Sequence, residues 1–84
     1  MSDEELMLVS AVRYALGRMT YMVGITCRYV TSKLPELSEH CIHIIIRDIE
    51  EEMERYHRCG QMLGMECDEK EWMRLLERLK GGVK

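Results

Sequence analysis

Thirty consecutive residues, from Leu6 to Pro35, contain no aspartate or glutamate, although the 84-residue chain carries 15 acids elsewhere. Phenylalanine is absent altogether, and proline and tryptophan occur once each. A single proline leaves one obligatory helix interruption and no proline-rich linker between domains. No stretch approaches the roughly 18 consecutive apolar residues of a membrane-spanning helix, so no membrane association is expected. Period-two alternation is missing as well, which argues against strands, and there is no internal repeat. Cys27, Cys41, Cys59 and Cys67 lack the close paired spacings of a zinc framework, and no secretory leader precedes them. A reducing, cytoplasmic setting is the expectation that follows.

What is present fits a single small domain spanning residues 1–84. A chain of this length buries a modest share of its surface, and association with further copies is the usual remedy, so a homo-oligomer is expected. The composition is 46% hydrophobic, enough for a folded core, and eight methionines take the place of phenylalanine. The formal net charge of −3 hides a strong asymmetry. Residues 1–5 hold three acids, residues 6–35 hold only the cations Arg13, Arg18, Arg28 and Lys33, and the remainder is mixed with acids in excess. Asymmetry of this kind suits helices that pair with one another better than an extended nucleic-acid footprint.

The pattern predicts three principal helices. Ser2-Asp3-Glu4-Glu5 has the form of a capping box, with acids placed in the first turn of a helix starting at about Asp3. Leu8, Val9, Val12, Ala15, Leu16, Met19, Val23, Cys27 and Val30 fall within about 120° on a helical wheel. The phase of this stripe survives Gly17 and Gly24, which predicts one long or mildly kinked helix of roughly 45 Å reaching Lys33. Leu34-Pro35-Glu36-Leu37 is the break, and Ser38 caps the second helix. Ile42, Ile45, Ile46, Ile49, Met53 and Tyr56 form its apolar side, with Arg47–Glu51 and Glu54–Arg58 spaced as i,i+4 pairs. Cys59 to Cys67, with Gly60 and Gly64, reads as a connection. Asp68 then caps a last helix of about Glu69 to Lys80 that aligns Trp72, Leu75, Leu76 and Leu79 and ends at Gly81-Gly82. The fold class is therefore all-α, a small bundle with a long first helix completed by oligomerisation.

The opposite side of the first helix carries Arg13, Tyr14, Gly17, Arg18, Tyr21, Gly24, Arg28 and Tyr29. Arginine presents a planar fork suited to phosphate or carboxylate, and tyrosine offers a flat face with a hydroxyl. Arg13, Tyr14, Gly17, Arg18, Tyr21 and Arg28 are accordingly the candidate ligand-binding residues, for an anionic, nucleotide-like ligand. A competing account pairs Arg13, Arg18 and Arg28 with the acids around Asp48 to Glu54, in the same chain or a neighbouring one. The glycines permit close approach by either a ligand or a second helix.

Other constellations are weaker. His40-Cys41-x-His43 and His57-x-Cys59 with Cys67 contain metal-ligating types, but Cys41 leaves the face shared by the two histidines and no metal site is expected. The acids from Asp48 to Glu54 read as a solvated helix face. No phosphate loop, nucleophile elbow or Cys/His pairing is present, so the chain is read as non-catalytic and without a cofactor.

Val12-Arg13-Tyr14-Ala15-Leu16-Gly17-Arg18-x-Thr20-Tyr21, followed by Leu37-Ser38, Arg47-Asp48-Ile49-Glu50 and Cys67-Asp68-x-x-x-Trp72, resembles a set of small proteins of unassigned activity encoded by bacteriophages and prophages. The likeness covers about residues 8–79, and its strongest block coincides with the Arg/Tyr face. It implies a counter-defence role in the host cytosol. Such proteins sequester a nucleotide signal in an oligomeric sponge or dock directly on a bacterial defence effector such as a CRISPR complex; a purely structural oligomer is the remaining alternative.

Overall fold

The computed structural model describes residues 1–17, 21–59 and 65–82, with the backbone alone for Tyr21, Met22, Tyr56, Cys59 and residues 65–68. Four α-helices follow one another: α1 (Asp3–Gly17), α2 (Tyr21–Lys33), α3 (Glu39–Cys59) and α4 (Met65–Gly82), with a 3-10 turn at Leu34–Glu36 between α2 and α3. No strand occurs among the described residues.

The start of α1 is the capping box expected from the sequence. The Glu5 backbone N–H donates to Ser2 Oγ at 3.2 Å, and Glu5 Oε1 accepts from the Ser2 N–H at 3.1 Å. The second carboxylate oxygen leaves the helix. Glu5 Oε2 accepts from the Ser38 N–H at 2.8 Å and from the Ser38 hydroxyl at 2.9 Å, while Ser38 Oγ accepts the Cys41 N–H at 3.2 Å as the cap of α3. One side chain thus ties two helix starts together, and α1 and α3 run parallel from a common end.

The sequence pattern predicted one helix from Asp3 to Lys33, and the structure overturns that expectation. A straight helix of that length would need roughly 45 Å, whereas the longest extent of the molecule is 34 Å. Lys33 Nζ lies 3.3 Å from Glu4, which brings the end of α2 back beside the start of α1. The pair is an antiparallel hairpin, so the bundle has four helices where three were expected. Preserved phase was a weak guide because each arm of a hairpin also turns its apolar stripe inward. Folding back lets both halves of the stripe be covered within one chain.

The last helix also differs. It begins at Met65, four residues before the predicted start, so Asp68 lies inside α4 and does not precede it. Cys59 and residues 65–67 of the presumed connection are therefore helical, and residues 60–64, with Gly60 and Gly64, lie outside the described residues. The helix continues through Gly81 to Gly82, where a Cβ would be in ordinary contact with Leu34 at 3.7 Å. That contact returns the end of α4 to the 3-10 turn.

Around the bundle the helices neighbour one another in the order α1, α2, α4, α3. Two antiparallel hairpins are stacked, with α1 beside α3 and α2 beside α4. Every described member of the predicted stripes is buried in a single core except Ile46, which is half-buried; Met19 and the Tyr56 side chain lie outside the described residues. Trp72, Ile45, Ile49, Leu75 and Leu79 are its largest fully buried side chains. Each aliphatic group removed from water in this way contributes about 1.5–3 kcal/mol.

The bonds to Glu5, led by the Ser38 backbone N–H and then that of Ser2, hold its carboxyl down to about 2 from the ordinary 4.5. The unfolded chain takes up this proton near 4.5 and the folded chain only near 2, so the stabilisation is complete above 4.5 and is lost as pH falls towards 2. Glu5→Gln is expected to lower the melting temperature at neutral pH by an amount that shrinks steadily across that acid window. A deficit that stays constant down to pH 2 would show that the carboxylate charge is immaterial.

Candidate functional site

The hairpin divides the predicted Arg/Tyr face. Arg13 and Tyr14 lie on α1, whereas Arg28 and the backbone of Tyr21 lie on α2. Arg13 turns towards α3, where its Nε donates to Asp48 Oδ2 at 2.8 Å. The Asp48 side chain is only 11% exposed against 58% for Arg13. This bond, reinforced by the charge of Asp48, pushes the Arg13 guanidinium above its usual range. Arg13 is therefore engaged within the chain, as the competing sequence account allowed. Tyr14 and Gly17 are exposed on the outer side of α1. Arg18 and the Tyr21 side chain lie outside the described residues.

Arg28 has different surroundings. With Thr31 and Ser32 it forms one wall of a groove of about 340 Å3, and Glu71, Arg74, Leu75 and Arg78 on α4 form the other, with Cys27 at its base. The parallel alignment that creates the groove is marked by the Cys27 thiol lying 3.9 Å from the Glu71 carbonyl oxygen. Three guanidinium groups share this space with one carboxylate. Arg74 makes a long contact of 3.5 Å to Glu71, while Arg28 and Arg78 have no ion-pair or hydrogen-bond partner among the described residues.

The other described arginines each have an acid beside them: Arg13 with Asp48, Arg47 with Glu51, Arg55 with Glu52, and Arg58 with Glu54; Lys80 likewise meets Glu50. A second hollow of about 270 Å3 lies between the start of α1 and the end of α2, but its charges are engaged too. Lys33 meets Glu4 and Glu36, and Glu5 meets the two cap serines.

The α2–α4 groove has the chemistry of an anion site. Arginine forks bind phosphate or carboxylate oxygens in pairs and keep their charge at any accessible pH. The Thr31 and Ser32 hydroxyls now donate to the carbonyls of Cys27 and Tyr29 at 2.8 and 2.7 Å, so each must rotate before it can donate to a ligand. Gly24 stands one turn before Arg28 on the same side of α2. A Cβ there would meet nothing within 4 Å, so packing inside the chain does not require this glycine, although it costs an α-helix about 1 kcal/mol.

Of the six residues singled out from the sequence, Arg28 alone has a described side chain in the groove. Arg74 and Arg78 were passed over because they sit among acids on an amphipathic helix. Their i,i+4 spacing was visible, but only the packing of α4 beside α2 places them opposite Arg28.

The metal-ligating types do not assemble. Cys41 is buried, with its thiol pushed up by burial and then by Glu5, whereas His40 and His43 are exposed. His57 Nε2 lies 2.7 Å from Glu69, and the side chains of Cys59 and Cys67 lie outside the described residues. Among the described residues no three His, Cys, Asp or Glu side chains are grouped to hold a metal, and no helix is long and apolar enough to cross a membrane.

Comparison with protein families, with curated proteins and with solved structures finds no match to this chain.

Exposed arginines without an ion-pair partner should contribute little to folding. Arg28→Ala and Arg78→Ala are expected to leave stability in urea within about 0.5 kcal/mol of the parent, or slightly higher as like charges are separated. Arg13→Ala should instead cost about 1 kcal/mol, because a largely buried Asp48 loses its partner. The opposite ranking would identify the groove arginines as structural.

Proposed function

We propose that the protein is a non-catalytic anion-binding module that holds a phosphorylated, nucleotide-like ligand between α2 and α4. One observation carries this reading: Arg28, Arg74 and Arg78 line one groove with a single carboxylate among them. Elsewhere on the described surface arginines have acids beside them, so the uncompensated cations of the groove are available to a ligand. Leu75 supplies an apolar wall, and Tyr21 begins α2 two turns before Arg28, at the level where a base would lie if phosphate met the arginines. A counter-defence role, as sequestration of a nucleotide signal, is what the resemblance to small phage-encoded proteins implies for such binding. Direct docking on a defence effector through the acids of α3 has less support, since Glu50, Glu51, Glu52 and Glu54 already face basic partners.

Thermal unfolding against a panel of cyclic and linear nucleotides, with pyrophosphate included, tests the proposal. A ligand that binds only the folded chain must raise the melting temperature, by the equivalent of about 2.7 kcal/mol at a hundredfold excess over Kd. Arg28→Ala and Arg78→Ala should each weaken the bound ligand roughly 10- to 100-fold, since a charge-assisted hydrogen bond is worth about 1.5–3 kcal/mol. Tyr14→Ala should leave affinity unchanged. Absence of a shift with every phosphorylated compound, or a shift that both arginine variants retain, overturns the assignment.

A further inference from the structure

The outer side of the α1–α2 hairpin has no role in the groove or in the core, yet its composition is unusual for a solvent-facing surface. Met7 is 72% exposed, Ile25 58%, Tyr29 48% and Tyr14 47%. On α1, Met7, Ser10, Ala11 and Tyr14 recur at the i, i+3, i+4, i+7 spacing of one helical face, opposite the stripe that enters the core. Between Met7 and Tyr14 no charged residue interrupts this face of α1, because Arg13 turns aside to Asp48 and the acids of α1 are confined to its first turn.

The face is complementary to itself. The Lys33–Glu4 contact sets Tyr29 level with Leu8 and Ile25 level with Val12 across the hairpin. Consider a twofold axis passing between Ser10 and Ala11, with the α1 helices of two copies antiparallel. The small Ser10 and Ala11 then meet at the crossing, where the backbones must come closest. Met7 falls opposite the second copy's Tyr14, a thioether against an aromatic ring. The same axis brings Tyr29 to within one residue, about 1.5 Å, of the level of the second copy's Ile25. Both large-side-chain pairings therefore follow from one operation, as an isologous interface requires.

Charge and area agree with this geometry. Its α1 half carries no charge between Met7 and Tyr14, and the charges bordering its α2 half, Lys33 beside the Tyr29 ring and Glu4, are already paired with each other, so burial against a second copy leaves no lone charge at its centre. Met7, Tyr14, Ile25 and Tyr29, each about half exposed or more, supply the apolar centre that a standard interface of about 800 Å2 per partner surrounds with a polar rim. We propose that two copies of the chain associate through this face, in antiparallel register about Ser10 and Ala11. The dimer leaves the α2–α4 groove of each protomer open, since that groove lies on the other edge of α2.

Sedimentation equilibrium on the full chain, with circular dichroism as a check on folding, tests the proposal. The parent is expected at twice 9.9 kDa at micromolar concentration. Ala11→Glu, an exposed change to another good helix former, should halve the mass while the helical spectrum persists. Ser10→Cys should give a disulfide-linked dimer on mild oxidation, in excess of any formed by the parent under the same conditions. A monomeric parent overturns the proposal. A dimer that survives Ala11→Glu and gains no cross-link from Ser10→Cys overturns it as well, by placing the interface elsewhere. Nucleotide-induced stabilisation of Ala11→Glu is a separate readout, so loss of the dimer and loss of ligand binding are distinguishable.

Discussion

The Glu5 carboxylate closes the first turn of α1 with one oxygen and the first turn of α3 with the other. Helix starts carry backbone N–H groups that the helix itself leaves unpaired, and here a single side chain answers such groups in two helices 33 residues apart. The consequences reach through the bundle. With α1 and α3 parallel from a shared end, Arg13 and Asp48 stand at the same height, each about three turns into its helix. The intervening α2 must return to that end, which puts Lys33 beside Glu4. The remaining helix then fills the position between α2 and α3 and descends to meet Leu34.

This arrangement sorts the charges of the chain. The long acid-free segment becomes a hairpin whose inner sides are apolar, so it cannot neutralise its own cations. Lys33 draws on the acids at the start of α1 and at the 3-10 turn, and Arg13 draws on α3. Arg28 points along the one edge where the neighbour is α4, and there it meets further arginines and a single acid. Among the described arginines, those of the groove are the ones short of acids, which is the physical basis for the proposed anion site. Because α2 has α1 on one side and α4 on the other, the groove and the uncharged outer face of α1 occupy separate parts of the surface.

Much of the local structure was legible in the sequence. Ser2 and Glu5 announced the first cap and Ser38 the second, because capping depends on residues three apart in the chain. The apolar stripes identified the core almost completely, including Trp72 and the isoleucines of α3, because burial follows helical periodicity. The turn of the chain between α1 and α2 was not legible. A stripe that keeps its phase is the same whether the helix continues or folds back, and Gly17 permits either. The early start of α4 was hidden for a related reason: Met65 to Asp68 are acceptable helix formers, but Gly64 and an acidic residue before an apolar run imitate a helix start.

The candidate site divides along the same line. Sequence alone determined that Arg13, Arg18 and Arg28 have no acid of their own segment to meet, since that is a statement about composition and spacing. Only the tertiary structure decided which arginine is engaged and which is free. Helix neighbours set that choice: Asp48 comes from a helix 35 residues away, and Arg74 and Arg78 from one nearly fifty residues beyond Arg28. Periodicity fixes which way a side chain points from its own helix, but the charge it encounters there belongs to another helix.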